Sequence, residues 1–308
     1  MPAILLIKTS SMGDVIHNLP VASDIHEHYP NASVSWVVEE TFSPIPAMHP
    51  AVSNVIPVAI RRWRKCPFSR ATRIEFAEFR NRIREEQYDL VIDTQGLFKS
   101  AVISKLARGA RCGFDRKSAR EPVASCFYDR TQFVDRNFHA VARNRMLAAS
   151  CLGYSLENPM DYGIGVEAAP CAPYAVLLHA TSRADKLWAE LNWMALGKSL
   201  GMSVMLPWGC AEEKARSERI AAAIPDAVVP PKLSLQDAAK LIGGARIVVG
   251  VDTGLSHLAA ALGVPVVGIY CSTDPGLTGI MSLKNGVNLG GKTCPPSVED
   301  VLSACESL

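Results

Sequence analysis

Short apolar runs, rich in β-branched residues, alternate with amphipathic stretches along the whole chain. A run such as Ile247–Val251 is typical of a strand that is buried on both faces. Between such runs the apolar residues recur at helical spacing, as in 71–86, where Ile74, Phe79 and Ile83 are expected to face inward. Strands that alternate with helices predict βαβ units and a mostly parallel sheet, so the expected fold class is α/β.

The predicted strands fall into two successive groups. The first group covers residues 4–7, 33–38, 55–60, 90–93 and 111–114. The second covers residues 174–178, 204–206, 228–229, 247–251 and 264–270. Between residues 153 and 173 the periodicity fades and prolines and glycines accumulate, among them Pro159 and Pro170, so this stretch is the best linker candidate. We therefore expect two Rossmann-like domains facing a central cleft, spanning 1–160 and 161–308, with a last helix near 298–305 that can pack on either domain.

The composition is that of an ordinary globular protein. Hydrophobic residues make up 48% of the chain and charged residues 20%, and no apolar run approaches the ~20 residues that span a bilayer. The first residues resemble a strand rather than a signal peptide. Nine cysteines are scattered singly, without a C-x-x-C pair or a metal-type cluster with histidines. This pattern favours a protein of the reducing cytoplasm.

Positive charge is concentrated in the first half of the chain. Residues 1–160 hold 21 Lys and Arg against 16 Asp and Glu, whereas residues 161–308 hold 11 against 14. Residues 61–84 alone contain nine basic and two acidic residues. Such a block is usually a solvated helix face, but the run Arg61-Arg62-Trp63-Arg64-Lys65 is too compact for one face and contains an aromatic residue. It favours an anionic partner.

Two polar turns that follow predicted strands are candidates for chemistry. Asp252-Thr253-Gly254 stands between the strand 247–251 and a helix, with His257 one turn into that helix. The unpaired N–H groups at a helix N-terminus bind anions, although an Asp or Thr there is more often simply a cap. Asp14 follows the first strand in the same way, just before a helix expected near residue 15. It is either a cap or a carboxylate placed as a general base.

Several separate stretches together resemble one family. They are Lys8-Thr-Ser-Ser-Met-Gly-Asp-Val15, Trp36-Val-Val-Glu-Glu40, Val55-Ile-Pro-Val-Ala-Ile-Arg-Arg-Trp-Arg-Lys65, Gln95-Gly-Leu-Phe-Lys-Ser100, Ala119-Arg-Glu-Pro122, His179-Ala-Thr181, Leu206-Pro-Trp-Gly209, Val251-Asp-Thr-Gly-Leu-Ser-His257 and Thr273-Asp-Pro-Gly-Leu277. In this order and combination they resemble the bacterial lipopolysaccharide heptosyltransferases, and most of all the members that add the first heptose of the inner core. The likeness runs from residue 4 to about 279.

The resemblance implies a GT-B glycosyltransferase with the acceptor on the N-terminal domain and the donor on the C-terminal one. It implies transfer of L-glycero-D-manno-heptose, with inversion, from ADP-L-glycero-β-D-manno-heptose to a Kdo residue of Kdo2-lipid A. The implied location is the cytoplasmic face of the inner membrane, with peripheral contact, no cofactor and no nucleic acid. Three alternatives stay open: a heptosyltransferase acting on a heptose acceptor, a nucleotide-sugar epimerase of the same fold, and a non-catalytic nucleotide-sugar sensor.

The resemblance also implies roles for individual residues. Asp14 corresponds to the catalytic base. The implied donor-binding residues are Thr181, Ser182, Lys186, Glu213, Asp252, Thr253, Gly254 and His257. The implied acceptor-binding residues are Arg61, Arg62, Arg64, Lys65 and Arg120. Because Lys186 and a helix N-terminus can stabilise a leaving diphosphate, and no D-x-D pair follows a strand, we expect a metal-independent reaction.

The chain departs from the family pattern at a few positions. Ser182 stands where a second threonine is expected, and it keeps the hydroxyl. Cys271-Ser272 replaces a Gly-Pro pair, and Ala142 occupies a position where a glutamate is usual. None of these departures removes a proposed catalytic group.

Overall fold

The computed structural model describes residues 1–167, 172–282 and 285–308. The chain forms two compact units, residues 1–163 and 164–308. In the linker candidate, residues 154–167 contain no helix or strand, whereas Pro170 lies outside the described residues. Within the described part of the chain, no helix is long and apolar enough to cross a membrane.

The first unit is built on a six-stranded parallel sheet in the order β3-β2-β1-β4-β5-β6. Its strands are β1 (Ala3–Ile7), β2 (Ser33–Glu39), β3 (Asn54–Val58), β4 (Gln87–Asp93), β5 (Arg108–Phe114) and β6 (Arg130–Gln132). Every residue of β1 is buried, as expected of a central strand covered on both faces. The short, largely exposed β6 was not predicted, because it carries no apolar run.

Seven helices connect these strands. They are α1 (Met12–Ile16), α2 (Leu19–His28), α3 (Pro44–Ala47), α4 (Ile60–Trp63), α5 (Arg70–Ile83), α6 (Phe98–Leu106) and α7 (Ala140–Leu152). The helix expected near residue 15 begins earlier, with Ser11 as its N-cap, so Asp14 lies in the first turn rather than at the cap.

Two sequence-based predictions in this unit were wrong. The strand expected to continue to Ile60 ends at Val58, and Ile60 instead begins α4, which carries Arg61 and Arg62. In α5, Phe79 and Ile83 are buried as predicted, but Ile74 is 48% exposed. The helix buries a narrow stripe, so an apolar residue on its opposite side remains in solvent.

The second unit has a matching parallel sheet in the order β12-β11-β10-β7-β8-β9. Its strands are β7 (Tyr174–Leu178), β8 (Ser203–Met205), β9 (Ala227–Val228), β10 (Ile247–Val251), β11 (Val266–Tyr270) and β12 (Gly286–Gly290). The two adjacent strands β7 and β10 are buried throughout. Both sheets confirm the α/β fold class.

Six α-helices belong to the described residues of this unit. They are α8 (Glu190–Ser199), α9 (Ala211–Ala221), α10 (Leu235–Gly243), α11 (Gly254–Ala261), α12 (Pro275–Thr278) and α13 (Val298–Ser307). The sequence left open where the last helix packs. Its contacts with α8 and β11, and the burial of Val301 and Ala304, join it to the core of the second unit.

Each sheet reverses its strand order once, and this reversal positions the candidate sites. In the first unit it lies between β1 and β4, and in the second between β7 and β10. Ligands of open α/β sheets bind outside the carboxyl ends of the strands at such a switch point. Asp14 and Gln95 follow the first pair of strands, and Thr181 and Asp252 follow the second.

One disulfide was not expected from the sequence. Cys112 in β5 and Cys151 in α7 are bonded, with their Cα atoms 6.1 Å apart. The pair is separated by 39 residues and belongs to no recognisable cysteine motif. Packing of α7 on β5 brings the two together, so the scattered spacing that favoured unpaired cysteines was misleading for these two.

Candidate functional site

The loop after β1 is fixed by the side chain of Gln95, which follows β4. Its Oε1 accepts hydrogen bonds from the amides of Thr9 and Ser10, at 2.8 and 3.2 Å. Its Nε2 donates to the carbonyl of Ser10. Gln95 is itself held by Asp93 Oδ1, which accepts from its backbone N–H at 2.8 Å. The two loops at the first switch point therefore form one rigid structure.

Asp14 projects from the first turn of α1, which continues this loop. Its Oδ2 accepts hydrogen bonds from the backbone N–H of Ser11 at 2.7 Å and from the Ser11 hydroxyl at 3.0 Å. Arg120 Nη1 lies 3.7 Å from the same oxygen. The carboxylate remains 22% exposed. It is thus oriented by neighbours and still accessible, as a general base must be.

Arg120 is carried by a segment that is tied to the loop after β4. The backbone N–H of Glu121 donates to the carbonyl of Gly96 at 3.0 Å, and Glu121 Oε2 accepts from the N–H of Phe98 at 2.6 Å. Gly96 has a φ of +64°, a conformation that side-chain-bearing residues rarely adopt. This turn holds the Arg120 segment beside the Asp14 loop.

A buried lysine lies beneath the same loop. Lys8 Nζ donates to the carbonyl of Thr94 at 2.8 Å and to Asn144 Oδ1 at 3.1 Å. Burial lowers the pKa of Lys8 to about 8, while the nearby Asp14 carboxylate acts in the opposite direction. The ammonium thus adds positive potential under the site.

Lys99 is a candidate site residue that lies in the motif Gln95–Ser100 but was not predicted to belong to the site. Its Nζ donates to the Ser10 hydroxyl at 2.9 Å. Partial burial lowers its pKa, and the charges that act on it include Glu39, Arg61, Arg64 and Asp14. Its place in the first turn of α6, directly after the switch point, is the signal that could have identified it.

The basic run 61–65 does not act as one uniform patch. Arg62 is held within the chain: its guanidinium bonds both oxygens of Glu40 at 3.0–3.1 Å and both oxygens of Glu75 at 2.7 Å. These hydrogen bonds, first with Glu40 and then with Glu75, raise the pKa of Arg62. Trp63 Nε1 also donates to Glu75. Arg62 therefore links α4 to α5.

Arg61, Arg64 and Lys65 are exposed and differ from Arg62 in their surroundings. The Arg61 guanidinium lies 4.9 Å from the centre of the Phe42 ring, and its backbone N–H donates to Glu39 Oε1. Burial raises the pKa of Glu39. Among the described residues, neither Arg64 nor Lys65 forms an ion pair, so both are available to an anionic ligand.

In the second unit, Asp252 connects several of the predicted donor residues. Its Oδ2 lies 2.7 Å from Lys186 Nζ and accepts from the Thr273 hydroxyl at 2.8 Å. The carbonyl of Asp252 accepts from the Thr181 hydroxyl at 3.0 Å. His257 Nε2 lies 4.0 Å from Oδ1. The second switch point thus gathers residues that are up to 92 positions apart in the sequence.

The helix that follows Asp252 presents its N-terminus at this point. Thr253 is the N-cap of α11, and Gly254 is its first residue. The first amides of an eight-residue helix lack intrahelical partners and carry partial positive charge. Ser256 anchors the turn from within, since its hydroxyl donates to the carbonyl of Val251 at 2.8 Å. The arrangement suits an anion such as a diphosphate.

Glu213 and Ser182 lie at other places in the second unit. Glu213, in α9, accepts the backbone N–H of Gly209 at 2.7 Å through Oε2. It thereby fixes the turn that carries Trp208, whose Nε1 donates to the carbonyl of Pro230. Ser182 is exposed in the loop after β7. Thr273, in the motif Thr273–Leu277, was not predicted to belong to the site. Its hydrogen bond to Asp252 makes it a further candidate site residue.

One further histidine near β7 is structural. His179 is buried, and its Nε2 lies 2.7 Å from the Ser217 hydroxyl. Burial, followed by the charge of Arg216, lowers the pKa of His179 to about 4. Over residues 1–167, 172–282 and 285–308, no three His, Cys, Asp or Glu side chains cluster closely enough to hold a metal ion.

Comparison with known proteins agrees with the resemblance noted from the motifs. Residues 76–304 match the model of glycosyltransferase family 9 (heptosyltransferase), so the likeness continues beyond residue 279. Lipopolysaccharide heptosyltransferase 1 of Pseudomonas aeruginosa is 48% identical over 306 residues, which cover 96% of this chain and 86% of that protein.

Two solved structures are also similar over nearly their full length. The E. coli heptosyltransferase WaaC with ADP has a TM-score of 0.94 at 43% identity, and the match covers 99% of both chains. The same enzyme with ADP-2-deoxy-2-fluoro heptose has a TM-score of 0.91 at 42% identity, again with 99% of both chains covered. On sequence and structure together, the chain belongs to glycosyltransferase family 9, the heptosyltransferase family.

Proposed function

We propose that this protein transfers L-glycero-D-manno-heptose from ADP-L-glycero-β-D-manno-heptose to a Kdo residue of Kdo2-lipid A, with inversion. The observation that carries the proposal is the 48% identity, over 96% of the chain, to a protein named lipopolysaccharide heptosyltransferase 1. The similar WaaC structures contain ADP and a fluorinated ADP-heptose, which supports the same donor here.

In this proposal Asp14 is the general base. An inverting transfer forms a bond from the acceptor oxygen to the anomeric carbon while the bond to the ADP phosphate breaks. The acceptor proton passes to the Asp14 carboxylate. The two hydrogen bonds from Ser11 and the proximity of Arg120 support this role, because they orient the carboxylate without removing it from solvent.

Lys186 and the N-terminus of α11 stabilise the departing ADP. The ammonium of Lys186 neutralises diphosphate charge as it develops, and the amides after Thr253 donate to the same anion. Asp252 holds Lys186 in place and is itself held by Thr273. Glu213 binds the ribose of the nucleotide, and Thr181, Ser182 and His257 are the remaining donor-binding residues. Because these groups supply the positive charge, we propose that the reaction needs no metal ion.

On the acceptor side we assign the anionic groups of the lipid to exposed cations. Arg61, Arg64, Lys65 and Arg120 bind its carboxylates and phosphates, and Lys99 joins them from its position beside Ser10. Arg62 supports this surface indirectly, because Glu40 and Glu75 already hold its guanidinium. The protein works at the cytoplasmic face of the inner membrane, where it makes peripheral contact.

The test measures ADP release and identifies the remaining donor sugar in three parallel reactions with ADP-heptose. The first contains de-acylated Kdo2-lipid A, the second contains the same acceptor already carrying one heptose, and the third contains no acceptor. We expect turnover in the first alone, unchanged by EDTA. Turnover only in the second indicates the heptose-acceptor alternative, an isomerised donor in the third indicates the epimerase, and a requirement for added Mg²⁺ refutes the metal-free mechanism.

A further inference from the structure

An apolar cavity of about 290 Å³ opens on the surface of the first unit, at α4, α5 and the segment between them. Its apolar lining consists of Ile60, Trp63, Pro67 and Phe76, and its cationic lining of Arg64 and Arg73. Arg64, assigned above to the acceptor, is among its lining residues, but none of the proposed catalytic groups is. The proposed function does not account for an apolar cavity at this place.

Two exposed phenylalanines belong to this cavity's lining or adjoin it in sequence. Phe68, next to Pro67 in the chain, is 90% exposed, and Phe76 is 41% exposed. Phe76 is not loose, since its ring packs edge-on against Trp63, with ring centres 5.8 Å apart. We call Ile60, Trp63, Arg64, Pro67, Phe68, Arg73 and Phe76 the docking face. Exposed phenylalanines cost free energy, so one in the lining of an apolar cavity and a second adjoining that lining in sequence point to an interaction surface.

The charges around the docking face have one sign. Among the described residues, no Asp or Glu lines the cavity, and Glu75, which precedes Phe76 in α5, is hydrogen-bonded to Arg62 and Trp63. Arg64 and Arg73 form no ion pair within the described chain. A sugar or nucleotide needs polar partners inside its pocket, whereas this cavity offers almost none. An apolar cavity with a cationic rim is complementary to a lipid that has an acyl chain and an anionic headgroup.

We propose that the docking face binds the surface of an anionic phospholipid bilayer, with an acyl chain in the cavity and lipid phosphates at Arg64 and Arg73. The inference rests on the proposed function, because a lipid-linked acceptor must be met at a membrane. It deepens that function by assigning the peripheral contact to a named surface. Apolar insertion and electrostatic attraction act together here, as reversible membrane binding requires.

The experiment is co-sedimentation of the full chain with vesicles of phosphatidylcholine alone or with phosphatidylglycerol added. Wild type is expected to bind the mixed vesicles and to dissociate as salt is raised. Phe68→Ser should weaken binding about tenfold, since it removes one aromatic side chain that is buried in the bilayer when the protein binds. Arg73→Gln should weaken it about fivefold. Phe133→Ser is the matched control, because Phe133 is also exposed, at 66%, but lies outside the face; its binding should equal that of wild type.

Turnover with the soluble, de-acylated acceptor separates this inference from the proposed function. Phe68 and Arg73 are exposed and take no part in the proposed chemistry, so both variants should fold and retain that activity. If wild type is active but does not bind the mixed vesicles, or if Phe68→Ser binds them as wild type does, the membrane-binding role of the docking face is refuted. The proposed function is not affected by either result. If wild type binds vesicles but never releases ADP, only the function fails. Concentration-dependent dimers that Phe68→Ser abolishes would instead assign the face to self-association and overturn the proposal.

Discussion

Lys186 offers the sharpest test of the donor chemistry. Its ammonium lies 2.7 Å from Asp252 Oδ2, and neither side chain is more than 17% exposed, so the pair is largely shielded from water. Lys186→Ala removes the positive charge and leaves the Asp252 carboxylate unpaired next to a diphosphate. Loss of one preorganised group of this kind costs about 3 kcal/mol of transition-state stabilisation. We therefore predict a fall of about 10²–10³-fold in kcat/KM for ADP-heptose.

The same geometry predicts the behaviour of the double variant. In the Lys186→Ala background, Asp252→Asn removes the repelling carboxylate, and neighbouring charges couple by about 0.5–3 kcal/mol. The double variant should therefore have a kcat/KM roughly tenfold higher than that of Lys186→Ala alone. ADP release at saturating acceptor measures the rates, and Lys198→Ala, an exposed lysine of α8, is the control. If the losses of the two single variants simply multiply, Asp252 acts independently of Lys186 and the reasoning is wrong.

Four further predictions concern other parts of the structure. Asp14→Asn should keep donor binding while lowering kcat by about 10²-fold or more, as measured by calorimetry and ADP release. Arg64→Ala should raise the KM for de-acylated acceptor, and that KM should also rise with salt more than the donor KM. Arg62→Ala should instead lower the thermal stability, because the Arg62 guanidinium is paired with Glu40 and Glu75 within the chain. Because the folded pKa of His179, about 4, lies below its unfolded value, falling pH from 7 to 5 should destabilise wild type more than His179→Gln, by about 2 kcal/mol in urea unfolding.

The predictions for Asp14, Arg64 and His179 each have a contradicting outcome. Near-normal turnover of Asp14→Asn would reduce that carboxylate to a support for the first turn of α1. An unchanged acceptor KM in Arg64→Ala would indicate that the basic run 61–65 is a solvated surface and does not bind the acceptor. Equal losses of stability for wild type and His179→Gln between pH 7 and 5 would mean that the imidazole is not held neutral by burial.

The sequence revealed the parts of the fold that are set by local pattern. The limits of β7 and β10 were predicted to the residue, because both strands are buried on two faces and end at polar turns. The limits of β3 were not, since apolar residues continue through Ile60 and spacing alone cannot show where α4 begins. β12 was missed, because its sequence Gly-Val-Asn-Leu-Gly holds only two apolar residues between glycines and resembles a loop.

The sequence predicted candidate site residues but not the contacts among them. The motifs pointed to Asp14, Lys186 and Asp252, which lie at the switch points where strand order places them. That Arg62 is paired with Glu40 and Glu75 depends on how α4 packs against α5. The tertiary hydrogen bonds of Lys99 to Ser10 and of Thr273 to Asp252 were not predictable from the spacing of these residues in the sequence.

The most direct test of the proposed function is to incubate the purified protein with ADP-heptose and de-acylated Kdo2-lipid A and to identify both products. We predict that one ADP is released for each acceptor molecule that gains a heptose on Kdo. The anomeric configuration of the new bond should be inverted relative to the donor. ADP release without a new glycosidic bond, or a bond with retained configuration, would contradict it.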